Sequence, residues 1–386
     1  MMKQSNDHPS RRDFIKTAAL SAGAAGALVA CGKAATAPTP GAAGSPAAKP
    51  EGLPITVAGY LCDRVSGFVD GSVPVEGCAV TFEEGSIGDL NTHIFSGPRS
   101  IEVTEIGLHP FMLAFANDDF RAYSLLPVFP LRLFRHKSVF IRTDRGIRGP
   151  EDLRGKVIGT SMYASTSLTW LRGIFQHEYG ISPEDVEWVI ASKDSDARSG
   201  TTSKQEQILP EGLTFRRGPA GVDESELLVA GEVDALFHAA EPKAFTEGNP
   251  IIGRLFPDYR RTERAYFAKT GIFPIMHAVA VRNDLIDANP WVLEALFNAY
   301  SQAKAQTYRY LKNSAWYKTT LPWIGAEFEQ TRELMGDNYW SYGIEANRKN
   351  LEAFFLYSHE QGLAGRKLTI EELFHPATLG FTEQVI

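Results

Sequence analysis

The chain is poor in cysteine, in clustered histidine, in long apolar runs and in surplus basic charge. Three cysteines among 386 residues are too few for a disulfide framework. The nine histidines are scattered, with no His-Glu-x-x-His and no Cys-x-x-Cys. A Gly-x-Ser-x-Gly elbow, a phosphate loop and a dinucleotide fingerprint are also missing. No metal and no cofactor is therefore expected. Lys and Arg number 39 against 46 Asp and Glu, for a net charge of -7. That balance argues against nucleic acid as a partner, which would require a basic face.

The N-terminal apolar run, Thr17 to Ala30, is about 14 residues, short of the ~20 that span a bilayer. It follows Ser10-Arg11-Arg12-Asp13-Phe14-Ile15-Lys16 and ends Leu28-Val29-Ala30-Cys31. The arginine pair resembles a twin-arginine export signal, and the ending resembles a lipoprotein cleavage box with Cys31 as the lipidated residue. Residues 1–30 read as the signal peptide and 31–52 as a lipidated tether. The tether is almost all Ala, Pro, Gly, Thr and Ser, too polar and small to order itself. Removing residues 1–30 takes away two Lys, two Arg and two Asp and leaves a body of net charge -9. An extracytoplasmic, periplasmic protein held to the membrane by acyl chains is expected.

Beyond residue 52, strand-like and helix-like stretches alternate. Ile55–Tyr60, Ala79–Glu83, Ile101–Ile106, Ser138–Arg142, Val186–Ile190, Ala235–Phe237 and His277–Arg282 read as strands. Gly88–Phe95, His109–Asn117, Ser165–Tyr179 and Glu224–Ala230 read as helices. Residues 191–223 are charged and weakly patterned, and read as a surface excursion. From Pro290 onward helix follows helix. The expected fold is α/β with two lobes, mostly parallel sheets and a helical C-terminal region. Residues 53–144 and 275–386 form lobe I and 145–274 lobe II, with crossings near Arg142–Ile147 and Phe273–Arg282. The ligand cleft lies between the lobes, at the carboxyl ends of the strands. Cys62 and Cys78 could pair in an oxidising compartment, but they fall near opposite ends of neighbouring strands, which favours two free thiols.

Several stretches in fixed order carry a family resemblance. They are Pro127–His136, Trp170–Gly173, Gly231–Ala235, Arg254–Arg260, Lys269–His277, Tyr342-Gly343, Glu345–Arg348 and Tyr357–Leu363. Over about Asp63 to Phe374 the chain resembles the 4,5-dihydroxyphthalate decarboxylase family, a branch of the type II periplasmic-binding-protein fold. Two positions depart from that pattern: Cys62 stands where the family has Tyr before Asp-Arg, and Met162 stands where it has an acidic residue before Tyr163. The resemblance implies a cofactor-independent decarboxylase for an aromatic acid.

Candidate site residues follow from charge and placement. Arg132 and Arg135 could bind carboxylates through paired hydrogen bonds; with His136 they form the densest cationic cluster. The alternative for these three is bonding to hinge backbone. Asp63, Arg64 and Glu105 sit at strand ends; Arg64 could hold a second carboxylate and Glu105 ring hydroxyls, or the two could pair with each other. Tyr163 and Ser165, with Ser161 and Thr166, lie at a helix amino end that offers free N–H groups, with plain capping as the other role. In an enzyme, His277 or His136 would supply the proton; otherwise His277 is a buried hinge histidine. Trp170, Phe129 and Phe273 could stack on an aromatic ring or belong to the core.

Two functions fit. The first is a membrane-tethered solute-binding protein for a small carboxylate, aromatic acids included, that hands its ligand to a transporter or receptor. The alternative is an exported aromatic-acid decarboxylase of the 4,5-dihydroxyphthalate type.

Overall fold

The computed structural model describes residues 52–196, 200–313 and 315–384. Cys31 and the signal lie outside them. Eleven strands form two sheets among these residues. The first has the order β2-β1-β3-β11-β4, with β1 Leu53–Gly59, β2 Cys78–Glu84, β3 Val103–Gly107, β4 Tyr123–Leu126 and β11 His277–Arg282. The second has the order β10-β5-β9-β6-β7-β8, with β5 Val139–Arg142, β6 Val157–Thr160, β7 Glu187–Ile190, β8 Phe215–Arg217, β9 Ala235–Phe237 and β10 Ile252–Arg254. Both sheets are mixed. In the first, β1 runs parallel to β2 and β3, while β11 is antiparallel to β3 and β4. In the second, β6, β7, β8 and β9 are parallel, and β5 alone runs against them, antiparallel to its neighbours β9 and β10. The protein has a two-lobed α/β fold with one mixed sheet in each lobe.

Helices cover the sheets: α1 Ser66–Val69, α2 Ile87–Phe95, α3 Leu108–Asn117, α4 Thr166–Tyr179, α5 Glu224–Ala230, α6 Lys243–Thr246, α7 Tyr259–Thr270, α8 Asn283–Ala288, α9 Val292–Lys312, α10 Ile324–Met335, α11 Arg348–Glu360 and α12 Ile370–Leu373. Local chemistry sets their ends. Ser165 caps α4, its Oγ accepting the Leu168 N–H at 3.4 Å, and Gly180 stops the helix at φ 67°, a conformation that costs glycine little. α4 packs against α11 with Trp170 stacked on Phe354 at 4.9 Å. Gly173 permits that approach: a Cβ there would meet the Tyr357 ring at 2.1 Å.

Three expectations need correction. β5 bonds to β9 and β10, so the chain leaves the first sheet across Pro127–Ser138, earlier than the expected boundary at 144. Residues 191–223 are not a surface excursion throughout: Phe215–Arg217 forms β8, and Ser203, Gln205 and Glu206 are buried. Glu206 is satisfied locally, its Oε2 accepting the Ser203 hydroxyl at 2.8 Å. The sheets carry antiparallel members that short buried runs do not reveal. Cys62 and Cys78 are free, with Cys78 at the start of β2 and Cys62 beyond the end of β1.

Candidate functional site

A cavity of about 80 Å³ is lined from both sheets at places where strands end and helices begin. Ile87 and Gly88 of α2, Gly107 before α3, and His277 at the start of β11 supply one side. The β6–α4 turn, Asp194 after β7, Glu206 and His238 after β9 supply the other. The first N–H groups of α4, those of Thr166 and Ser167, have no acceptor inside the helix. They give the cavity a partly positive rim that suits an anion.

The two sides are fastened next to the cavity. His109 on α3 donates its backbone N–H to Thr166 Oγ1 at 3.0 Å, and its ring nitrogens meet the Ala164 carbonyl at 2.7 Å and Ser358 Oγ at 2.8 Å. Burial pulls its pKa down to about 3, so the ring is neutral and structural. From the second lobe, the Thr201 N–H and hydroxyl reach Asp89 Oδ1 at 3.0 and 2.9 Å, and Gln205 Nε2 donates to Asp118 Oδ2 at 2.8 Å.

Glu105 and His277 form one ionisable pair at the cavity. Adjacent strands β3 and β11 carry them, and Glu105 Oε1 lies 2.5 Å from His277 Nδ1. Both residues are buried. Glu105 Oε2 accepts the Tyr60 N–H at 2.9 Å, which fixes the carboxylate plane. Gly59 makes room for it, since a Cβ there would stand 2.9 Å from that oxygen. Opposite, Asp194 and Glu224 both face Nε2 of His238, at 3.1 and 3.5 Å. Burial lowers the pKa of His238, but the Asp194 bond and the two negative charges outweigh it and push the value up to about 9. Burial raises the carboxyl pKa of Glu206, which also lines the cavity.

The sequence candidates divide sharply. His277 and Ser165 line the cavity, and Glu105 sits behind His277. The arginines do not line it. Arg132 is buried on the Phe273 carbonyl at 2.7 Å and Asn347 Oδ1 at 2.8 Å. Arg135 is buried on Met276 Sδ, at 2.9 and 3.2 Å, and on the Ala239 carbonyl at 3.1 Å. Both thus brace the crossing segments through their backbone and neighbouring side chains. Arg64 does not pair with Glu105; it binds Asp63 at 2.6 Å and the Pro130 carbonyl at 3.0 Å, over the Trp340 ring. His136 is enclosed by Phe256, Tyr266 and Tyr179, its ring nitrogens unpartnered and its pKa lowered to about 4 by burial. Tyr163 lies in the second lobe's core with Arg172 stacked 3.5 Å over its ring. Trp170, Phe129 and Phe273 are core as well. Sequence reasoning missed Asp194, Glu206, Glu224 and His238. Asp194 and His238 follow strands that were legible, so the rule placing ligands at strand ends pointed to both.

Comparison with known proteins adds the following. Residues 1–31 match the family described as Ubiquitinol-cytochrome C reductase Fe-S subunit TAT signal, and residues 133–205 the family NMT1/THI5 like. The chain is 35% identical over 329 residues to a 4,5-dihydroxyphthalate decarboxylase of Comamonas testosteroni, covering 85% of this chain and 97% of that one. It is 32% identical over 208 residues to a protein of the same name from Pseudomonas putida, covering 53% and 77%. Among solved structures it aligns with the periplasmic aliphatic sulphonate binding protein SsuA of Escherichia coli at 12% identity and TM-score 0.47, covering 85% of this chain and 99% of that one. It also aligns with the desulfurization enzyme DSZB at 15% identity and TM-score 0.46, covering 84% and 97%.

Proposed function

The chain belongs to the 4,5-dihydroxyphthalate decarboxylase family, and from that premise we propose that it is an exported decarboxylase of a small aromatic carboxylic acid. The observation that carries this reading is the Glu105–His277 pair at the interlobe cavity. With Nδ1 held by the Glu105 carboxylate, the Nε2–H edge of His277 is the one left for the ligand. In the proposed step Nε2–H protonates the ring carbon that bears the carboxylate. The carbon–carbon bond to the carboxylate then breaks, its electron pair returns to the ring, and carbon dioxide departs. Solvent restores the proton to His277. The α4 N–H groups of Thr166 and Ser167, with the Ser165 hydroxyl beside them, hold the carboxylate that stays. Positioning of this kind supplies most of the rate in a reaction without covalent intermediates.

The sequence alone put solute binding first. The order is reversed here because a buried acid–base pair at the cavity is more than capture needs. The binding reading keeps one specific support, the export-signal match over residues 1–31, together with the fold. It assigns the same cavity to a carboxylate delivered to a transporter or receptor. Lipidation of Cys31 is part of either proposal and would tether the protein outside the cytoplasm. Incubating the purified full chain with 4,5-dihydroxyphthalate separates the two. Decarboxylation yields 3,4-dihydroxybenzoate and carbon dioxide; binding alone raises the melting temperature and leaves the ligand intact.

A further inference from the structure

Two carboxylates share a single imidazole on the second sheet's side of the cavity. Asp194 Oδ1 and Glu224 Oε1 stand 3.1 and 3.5 Å from His238 Nε2, and one ligand atom from each residue lies within 4.8 Å of the others. The His238 side chain is 3% exposed and that of Glu224 0%. Among the described residues, no Lys or Arg pairs with either carboxylate, and none lines the cavity. The groups that orient the carboxylates are neutral. Ser161 Oγ donates to Asp194 Oδ2 at 2.6 Å, the Asp196 N–H to Asp194 Oδ1 at 2.8 Å, and the Ser195 N–H to Glu224 Oε2 at 2.9 Å. The Ser195 hydroxyl also donates to Glu224 Oε1.

The histidine is oriented from outside this group. His238 Nδ1 lies 2.9 Å from the Ala240 carbonyl oxygen, which can only accept, so Nδ1 carries a hydrogen. Nε2 is then left facing two acceptors. Two carboxylates around one imidazole nitrogen, Glu224 buried and Asp194 24% exposed, call for a cation. A histidine whose other nitrogen is tied to a backbone carbonyl has the orientation of a metal ligand. Two ligands at their usual distance from a shared first-row ion stand roughly 3.0–3.4 Å apart. Both His238 contacts are close to that, and only the two carboxylates need to draw together.

We propose that Asp194, Glu224 and His238 form a binding site for one divalent first-row metal ion that opens onto the interlobe cavity. One imidazole and two carboxylates suit such an ion. Asp194 and His238 line the cavity, so its remaining coordination positions face the ligand space. The sequence pointed to no metal because the three positions stand 30 and 14 residues apart in separate loops, where no local motif forms.

The test uses the chelator-treated full chain and Zn²⁺ alone, titrated by calorimetry, with melting curves of the metal-free proteins as a check on folding. One ion per chain is expected, with a raised melting temperature. Asp194→Asn, which relieves repulsion in the metal-free state, should weaken Zn²⁺ by more than roughly 100-fold, and Ser161→Ala, which keeps all three ligands, by roughly 10-fold. A wild-type chain that takes up no Zn²⁺ would mean that a proton alone bridges the cluster, and would overturn the proposal. So would stoichiometric binding that Asp194→Asn leaves unchanged. No aromatic acid enters the measurement, so its outcome is independent of the decarboxylase reading.

Discussion

Two imidazoles sit at one cavity and differ in their company. His277, at the start of β11, has one carboxylate partner, Glu105, at 2.5 Å. His238, beyond β9, has two, Asp194 and Glu224, at 3.1 and 3.5 Å. A one-to-one pair is balanced when the imidazole is charged and can release its proton to a ligand. A two-to-one cluster holds its cation in place, because releasing it leaves the buried Glu224 and the half-buried Asp194 facing each other. The number of carboxylates around a histidine thus separates a group that transfers a proton from a group that retains a charge.

Replacing each histidine by the same neutral residue tests this contrast first. His277→Gln should lower the rate of carbon dioxide release by roughly 10²–10⁴-fold and cost less stability than the same change at His238, because one carboxylate rather than two loses its partner. His238→Gln should act chiefly on stability, costing about 3–5 kcal/mol because the buried Glu224 and the half-buried Asp194 lose their cation, measured by denaturant unfolding of the metal-free chain. Equal effects of the two changes on stability would erase the distinction.

Glu263 sharpens the comparison as a buried carboxylate with neither histidine nor metal beside it. Burial pushes its pKa up to about 7 despite the Lys137 N–H bond and the nearby charges of Lys137, Arg135 and Arg254. The folded chain therefore keeps a proton that the unfolded chain releases from the ordinary glutamate value of 4.5 upward. The contribution of Glu263 to stability falls as pH rises from about 4.5 to about 7, by about 3 kcal/mol at most. Glu263→Gln should flatten that slope, and unfolding curves across the window check it. The smallest effect belongs to the anion end of the cavity. Ser165→Ala removes the α4 cap and should cost about 1 kcal/mol of stability, with a weaker hold on the aromatic acid seen as a raised KM.

Much of the framework was legible in the residues. Alternating and all-apolar runs marked β1, β2, β7, β9 and β11, and Ser165 and Gly231 marked a helix start and a helix stop at their observed places. The partner of a short strand was not legible. Val139–Arg142 is apolar enough for either sheet, and only its long-range bonds to β9 and β10 decide. Side-chain direction was hidden too. A sequence shows that Arg132 and Arg135 are close together, not that both turn inward to brace the segments joining the sheets. Glu206 looked like a solvated charge because the serine that satisfies it is local and polar itself, and Asp194 because its partners Ser161 and His238 are distant in sequence.

The most direct test of the central claim is the reaction run in D₂O. Wild-type chain given 4,5-dihydroxyphthalate should release carbon dioxide and form 3,4-dihydroxybenzoate carrying one deuterium at the vacated ring carbon, while His277→Gln, folded and still stabilised by the acid, should form almost none. Wild-type chain that is stabilised by the acid without releasing carbon dioxide, or a His277→Gln chain that turns over at the wild-type rate, would contradict the account.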